Sequence, residues 1–304
     1  MKTGNLYDPN LHLFLDDAEV QDHPGFVRKV QQPERVGDGP VLSPDRPWEG
    51  KAVQMWGGAL YDDEEDLFKM WYYAVNMELY NRDRTGMYIC YATSKDAVTW
   101  DKPELGICES EGSTANNIVY PPPGCTDLGA DPWGVVKDEH AEDPQKRYKM
   151  MVYQQRPTPD APVFDEVGMT REEKNEARKH LLRVIKDHLG GYPVFSPDGL
   201  HWTDGEEICV PRAGDGGTLV YDPMKQRYIA ASRRYGTVLD HFVIEWKKYR
   251  RVISMCFSED FVNWSPQQTV IKPDDFDDPL DQFYVMTPCV YGNQYIGFLG
   301  PQEV

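Results

Sequence analysis

The sequence predicts an all-β fold made of repeated antiparallel units that pack side by side. The first observation is a motif, Ser-x-Asp-x-x-x-Trp, that occurs three times with the same internal spacing. Its copies are Ser94, Asp96 and Trp100; Ser196, Asp198 and Trp202; and Ser258, Asp260 and Trp264. The second observation is that each copy ends a similar unit, with an apolar strand leading into Asp, a strand with Tyr or Phe beside a cation, and a third strand. Aromatic residues at 12%, with 25 Gly and 24 Pro, also favour short strands joined by tight turns.

The chemistry of the motif explains why it would close a repeated unit. Ser and Asp side chains accept hydrogen bonds from backbone N–H groups two or three residues on, and so stabilise a tight turn. The Trp ring that follows is large enough to pack between neighbouring units. Because one unit cannot bury both of its faces, we expect the units to stack in chain order, with Trp100, Trp202 and Trp264 largely buried between them.

Apolar runs and turn residues divide the chain into three full units and part of a fourth. The predicted strands are 53–61, 67–75 and 87–93 in the first unit; 133–137, 147–154 and 192–195 in the second; 218–221, 227–233 and 251–257 in the third; and 283–291 and 294–299 in the fourth. Asp62, Asp138 and Asp222 each follow the first strand of a unit, and we interpret them as turn-forming residues.

One helix is predicted, as an insertion at about 160–190 within the second unit of a single domain, 1–304. Thr170 and Glu173 have the spacing of a capping box, and Gly190 would end the helix. Its apolar stripe would be Leu181, Leu182, Ile185 and Leu189.

The repeat count predicts an open end. Rings of such units, β-propellers, contain four to eight blades, so three and a half units do not close. Either the sequence lacks its C-terminal blades or another chain covers the open edge. An unpaired, apolar 283–299 hairpin would then promote self-association.

Charge and cysteine content narrow the function classes. The net charge of -18 disfavours nucleic acid and anionic membranes as partners. The six cysteines form no Cys-x-x-Cys pair and have no His at metal-ligand spacing, so we expect reduced thiols, no metal and no cofactor, with Cys90 and Cys256 buried in strands. No signal peptide or long apolar run is visible, which predicts a cytoplasmic protein.

Several short stretches carry a family resemblance. They are Leu-Phe-Leu-Asp-Asp at 13–17, Pro-Trp-Glu at 47–49, Phe-Lys-Met-Trp-Tyr at 68–72, Arg-Tyr-Lys-Met at 147–150, Tyr-Asp-Pro and Arg-Tyr within 221–228, and Gln-Tyr-Ile-Gly-Phe-Leu at 294–299. Together they resemble bacterial five-bladed propeller proteins related to glycoside hydrolase family 32, in the wider group with families 43, 68 and 130. The resemblance covers most of the chain except the insertion, and it implies four-stranded antiparallel blades around a funnel that binds sugar.

The same resemblance implies carboxylates near the starts of the innermost strands, but the best-known motifs of family 32 are absent. The chain has no Trp-Asn-Asp-Pro-Asn-Gly, no Arg-Asp-Pro and no Glu-Cys pair, and Ala130 precedes Asp131-Pro132. Position in the repeat therefore selects the candidates. At or just before the first strand of each unit stand Glu49, Asp131, Asp215 and Asp281.

Glycoside hydrolysis needs one protonated and one ionised carboxyl group, which converging acids can supply by splitting their pKa values. Asp215 is flanked by Gly214, Gly216 and Gly217, which would let backbone or ligand approach closely.

Candidate sugar-binding residues follow from chemistry. Arg233 and Arg234 could donate to sugar hydroxyls or a carboxylate, although a structural ion pair explains them as well. Trp56, Trp133 and Tyr284 could stack on a sugar face, although core packing is the more common role of such rings.

The sequence thus predicts a glycoside hydrolase that acts on an oligosaccharide or glycoside without a metal. Two alternatives remain: a glycoside phosphorylase, which would need a cationic cluster, and a non-catalytic sugar-binding propeller, which the missing motifs favour.

Overall fold

The computed structural model describes residues 31–83, 85–121, 131–155, 189–205, 207–235, 250–278, 281–292 and 294–302, together with residues 20, 24–25, 27, 29, 170 and 172–173. These residues are mostly strand, and the named strands pair antiparallel in four sheets. A short helix, α1 (Met77–Asp83), lies between two strands of the first sheet. The described fold is therefore mostly β, with antiparallel sheets, as the repeats predict.

The first sheet differs from the prediction at its first strand. Its strands are β1 (Ala52–Gln54), β2 (Leu60–Asp62), β3 (Leu67–Val75), β4 (Met87–Ser94) and β5 (Ile118–Tyr120). β1 and β2 both pair with β3, so the single strand predicted at 53–61 is interrupted by a loop, 55–59. Gly57 in this loop packs so closely on the backbone of Trp133 and Gly134 that no Cβ would fit. Contact with the second sheet therefore explains the interruption.

The other sheets follow the predicted units closely. The second contains β6 (Asp131–Lys137), β7 (Tyr148–Gln155), β8 (Leu189–Ser196), β9 (Thr203–Asp204) and β10 (Val210–Pro211). The third contains β11 (Thr218–Asp222), β12 (Arg227–Tyr235), β13 (Arg251–Ser258) and β14 (Gln268–Ile271), and the fourth contains β15 (Gln282–Tyr291) and β16 (Gln294–Gln302).

The repeated motif forms the same turn three times. In each copy the Asp carboxylate accepts backbone N–H groups two and three residues on, and the Trp indole donates to the carbonyl three residues before it. The residue after the Asp has a left-handed φ, of 60° at Ala97, 79° at Gly199 and 68° at Phe261. The turn hydrogen bonds thus hold even a Phe in a conformation that L residues seldom adopt.

The core is divided among the interfaces between successive sheets. Trp71 packs with Tyr148 between the first and second sheets, Trp133 with Leu219 between the second and third, and Ile229 with residues of β15 between the third and fourth. Trp202 is buried, as predicted. Trp264 is half-buried and packs against the cluster of Trp133 and Leu219. Trp100 is half-buried against a cluster formed by the first sheet and its own connections, so it differs from the prediction that it lies between two units.

The helical insertion is only partly within the described residues. Thr170 and Glu173 form the predicted capping box, with Oγ1 and N of Thr170 each 2.8 Å from a Glu173 carboxylate oxygen. Gly190 does not end a helix, because Leu189 and Gly190 begin β8 and pair with β7. The rest of the predicted apolar stripe lies outside the described residues.

Several smaller expectations concern surfaces and thiols. Cys90 and Cys256 are buried free thiols, as predicted. In the described part of the chain, no helix is long and apolar enough to cross a membrane. Nor does any described cluster of His, Cys, Asp or Glu have the arrangement of a metal site.

Candidate active site at the starts of the first strands

Several of the candidate residues lie at one end of the stacked sheets. β6, β11 and β15 begin at this end, and β12 finishes there because it runs antiparallel to β11. We call the region the mouth. It consists of loop 55–59, Asp131, loop 214–217, Arg233 and Tyr284.

Asp131 is a buried carboxyl group with spare hydrogen-bonding capacity. Asp131 is the first residue of β6 and is 6% exposed. Its Oδ2 accepts a hydrogen bond from the Gly216 N–H at 3.2 Å. Oδ1 accepts no hydrogen bond of normal geometry. Burial raises the pKa of Asp131 to about 7, against the opposing effects of the Gly216 N–H, the nearby Trp56 indole and the Arg233 guanidinium. Near neutral pH this group can therefore hold a proton and donate it.

Asp215 has a different environment on the neighbouring sheet. It precedes Gly216, so it lies one residue from the N–H that holds Asp131. Its Oδ1 forms an ion pair with the Arg233 guanidinium, and its side chain is 34% exposed. An ion pair requires the ionised carboxylate, so the mouth places an ionised acid beside one that holds its proton.

Two aromatic side chains complete the mouth. The Trp56 and Tyr284 rings have centroids 5.8 Å apart and planes tilted by 36°. The Arg233 guanidinium lies 4.4 Å from the Tyr284 centroid, and that of Arg251 lies 5.1 Å from it. Both rings are half-buried, which leaves part of each able to contact a ligand.

Glu49 is buried and fully occupied elsewhere in the first sheet. One carboxylate oxygen accepts the N–H groups of Asp45 and Arg46, at 2.7 and 2.9 Å. The other contacts the Tyr72 hydroxyl at 2.5 Å and the Lys102 ammonium at 2.7 Å. With both oxygens engaged by protein groups, this arrangement favours a structural role, and catalysis by Glu49 stays a prediction without geometric support.

Three other candidates make their described contacts with residues outside the mouth. Asp281 folds back on its own acidic loop, accepting the Asp278 N–H at 3.2 Å. Arg234 lies on the opposite face of β12 from Arg233, because successive side chains alternate along a strand. The groups that influence its pKa on that face are Arg212 and Cys256. Trp133 is 0% exposed, packed against Gly191 and Gly217, so the structure places it in the core rather than against a sugar.

The opposite end of the same strands carries a second set of acids. Asp62, Asp138 and Asp222 each accept backbone N–H groups of the following turn, as predicted. Each also accepts a hydrogen bond from a Tyr hydroxyl of the next sheet, which the sequence did not predict. We call these pairs the latches: Tyr148 with Asp62, Tyr228 with Asp138, and Tyr295 with Asp222.

The spacing between the two sets is a sequence signal for the mouth. Asp131 precedes Asp138 by seven residues, and Asp215 precedes Asp222 by seven. Glu49 precedes Asp62 by thirteen residues, so it does not share the spacing of seven. Position in the repeat did not select Tyr73. Burial, and after it the charge of Asp131, raises the pKa of the Tyr73 phenol.

Comparison with solved structures gives a likeness to carbohydrate-active proteins. A fructofuranosidase from Schwanniomyces occidentalis matches at 15% identity with a TM-score of 0.49, over 85% of this chain and 41% of that one. The family 32 beta-fructofuranosidase of Bombyx mori matches at 13% identity and a TM-score of 0.44, over 83% of this chain and 41% of that one. An N-acetylgalactosamine deacetylase from F. plautii matches at 12% identity and 0.45, over 83% and 62%.

The chain thus spans 41% of the length of the two fructofuranosidases that it matches. No family model matches the chain, and no curated protein does. At these identities and scores the likeness says nothing about chemistry, which has to be argued from the side chains of the mouth.

Proposed function

We propose that this protein is a glycoside hydrolase in which Asp131 is the general acid and Asp215 is the base or nucleophile. The observation that carries the proposal is the contrast within the mouth: Asp131, a buried carboxyl with a pKa near 7, accepts a hydrogen bond from the Gly216 N–H, and the preceding residue, Asp215, pairs with Arg233. Cleaving a glycosidic bond needs this pair of protonation states at neutral pH.

Each residue then has a defined task. Asp131 donates its proton to the oxygen of the leaving group as the bond from that oxygen to the sugar breaks. Asp215 attacks the sugar carbon or takes a proton from the attacking water. Arg233 acts as a positioning residue that keeps Asp215 ionised and fixes its orientation. The glycines on both sides of Asp215 let Arg233 and Tyr284 pack closely against this loop.

The wider architecture is proposed on separate grounds. The six stretches described above together resemble five-bladed propeller proteins, so we propose that the four sheets are blades of such a ring. The funnel of that ring would open at the mouth.

The test is a screen of arylglycosides and oligosaccharides with and without inorganic phosphate, using the wild type and two variants. Asp131→Asn and Asp215→Asn keep the side-chain shape, and each should lower turnover by at least about 10²-fold. Asp275→Asn, an exposed acid on another loop, is the matched control and should leave turnover unchanged. Turnover that depends on phosphate would instead identify a phosphorylase.

Two results would reject the proposal. One is activity within twofold of wild type in either mouth variant, which would remove that residue from the mechanism. The other is sugar binding without any turnover, which would support a non-catalytic sugar-binding protein.

A further inference from the structure

Tyr73 is a buried phenol that has no partner within the described part of the chain. The residue is 7% exposed, and its hydroxyl makes no hydrogen bond with any described residue. The neighbouring Tyr72 is 0% exposed, but its hydroxyl contacts Glu49 at 2.5 Å and accepts a hydrogen bond from the Asn117 side chain at 2.7 Å. Because a buried hydroxyl without a partner lowers stability, the vacant hydroxyl of Tyr73 indicates a role other than folding.

The register of β3 places Tyr73 at the same end of the stack as the mouth. β3 begins at Leu67, which pairs with Asp62, and Asp62 accepts a hydrogen bond from Lys137 at the end of β6. Tyr73 is six residues after Leu67, and Asp131 is six residues before Lys137. Both residues are therefore about 20 Å from the latch of Asp62, on the same level of the stack.

Strand alternation turns Tyr73 towards the second sheet. It shares a face of β3 with Lys69 and Trp71, because successive side chains point to opposite faces. Lys69 and Trp71 both contact Tyr148, which belongs to the second sheet. β3 also lies against β6, the strand of the second sheet that begins at the mouth. Tyr73 therefore faces the sheet that carries Asp131.

Loop 55–59 connects Tyr73 with the start of β6. Gln54, the residue before this loop, pairs with Tyr73 in the first sheet. Three residues further on, Gly57 packs against the backbone of β6. The charge of Asp131 also contributes to the raised pKa of Tyr73, which agrees with this arrangement. Tyr73 therefore borders the mouth.

A sugar can satisfy the Tyr73 hydroxyl. A phenol hydroxyl donates one hydrogen bond and can accept another, and each sugar hydroxyl does the same. A buried polar group in a binding site favours the ligand that pairs with it and rejects the analogue that does not. We propose, building on the function above, that Tyr73 is a specificity-determining residue whose hydroxyl binds one hydroxyl group of the sugar held in the mouth.

Binding of methyl 1-thioglycosides, which resist hydrolysis, tests this inference apart from catalysis. The probes are the compounds of common hexoses and pentoses, followed by each monodeoxy derivative of the one that binds most tightly. We expect Tyr73→Phe to weaken binding of the parent compound about three- to tenfold, the effect of one neutral hydrogen bond. One monodeoxy derivative should bind equally to the wild type and to Tyr73→Phe, because its missing hydroxyl is the partner of Tyr73.

Stability distinguishes ligand binding from a structural role. Tyr73→Phe should leave the free energy of unfolding unchanged or slightly higher, since no described protein group loses a partner. Tyr72→Phe is the matched control on the opposite face of β3. It should lower the free energy of unfolding, because Glu49 and Asn117 lose a partner, and should leave sugar affinity unchanged.

The outcomes separate this inference from the catalytic proposal. Sugar affinity that depends on the Tyr73 hydroxyl, in a protein without hydrolytic turnover, would support Tyr73 and reject the proposed catalysis. Equal sugar affinity in the wild type and Tyr73→Phe would reject Tyr73, whatever the turnover of the Asp131 and Asp215 variants. Binding of no thioglycoside by the wild type, or a loss of stability in Tyr73→Phe as large as that in Tyr72→Phe, would also overturn this role.

Discussion

The two ends of the sheet stack use buried aspartates in opposite ways. At the latches, Asp62 is 1% exposed and accepts hydrogen bonds from Lys69 at 2.7 Å, Lys137 at 2.6 Å and the Tyr148 hydroxyl at 3.0 Å. Burial alone would raise the pKa of Asp62, but these bonds together hold it well below its usual range. At the mouth, burial of Asp131 is not offset in this way, and its pKa is raised.

Low exposure therefore does not distinguish an aspartate that stabilises the fold from one that can take part in catalysis. Both aspartates are buried, and each lies at one end of a first strand. What differs is the number of donors that meet the oxygens, since donors stabilise the charged form against desolvation. An acid with every oxygen occupied stabilises the fold, whereas one with a vacant oxygen can exchange a proton with a ligand.

The largest effect that should test this comparison is the pH dependence of Asp131→Asn. Folded wild type keeps the Asp131 proton up to about pH 7, whereas the unfolded chain loses it near pH 4. The folded state therefore binds more protons in that window, so the contribution of Asp131 to stability is largest below pH 4 and falls as the pH rises to 7. Relative to wild type, the Asn variant should gain up to about 4 kcal/mol between pH 4 and pH 8. Urea unfolding at four pH values measures this, and a constant difference would contradict the raised pKa.

The next effect, from Asp62→Asn, should have the opposite sign. Removing this charge leaves Lys69 and Lys137 buried, with only exposed Glu65 and Glu64 to compensate. We expect a loss of about 3 kcal/mol at neutral pH, near the lower end for a broken buried ion pair.

Because the folded pKa of Asp62 is depressed, its contribution is present above about pH 4 and disappears as the pH falls through the folded value. The loss should therefore shrink in acid, and Asp63→Asn in the same exposed turn is the control. A loss that is equal at pH 3 and pH 7 would show that the latch charges are not linked to folding.

The smallest effect concerns a single latch hydroxyl. Tyr148→Phe keeps the ring that packs on Trp71 but removes one hydrogen bond to Asp62, and should cost about 1–2 kcal/mol. Thermal unfolding measures the change, with glycoside turnover as the second readout. Unchanged stability would mean that the two lysines alone satisfy Asp62. A loss of turnover without a loss of stability would contradict the separation of roles between the latches and the mouth.

Much of the fold could be predicted because the repeat depends on interactions between residues that are close in sequence. The strand predicted at 67–75 matches β3, since its apolar run and flanking turns are local signals. The interruption at 55–59 could not be predicted, because it depends on contact between Gly57 and a sheet more than seventy residues further along the chain.

The candidate site was predictable in part for the same reason. Position in the repeat selected Asp131 and Asp215, which the fold brings to one place. The same reasoning selected Glu49, but its tyrosine partner lies in β3 and its lysine partner in the segment between β4 and β5, so a local pattern does not reveal them. Arg233 and Arg234 are adjacent in sequence, but strand alternation sends them to opposite faces. Only the register of β12 decides which of them reaches Asp215.

The hydrogen bond from Thr287 to Trp56 joins residues that are 231 positions apart. Closing a loop of that length in an unfolded chain costs about 5 kcal/mol of entropy. One hydrogen bond and one ring contact together contribute about 2 kcal/mol, so they cannot close it unaided. The contact between Trp56 and β15 therefore exists only because the intervening sheets have already docked and shortened the distance. Its geometry depends on every interface between the first sheet and the fourth.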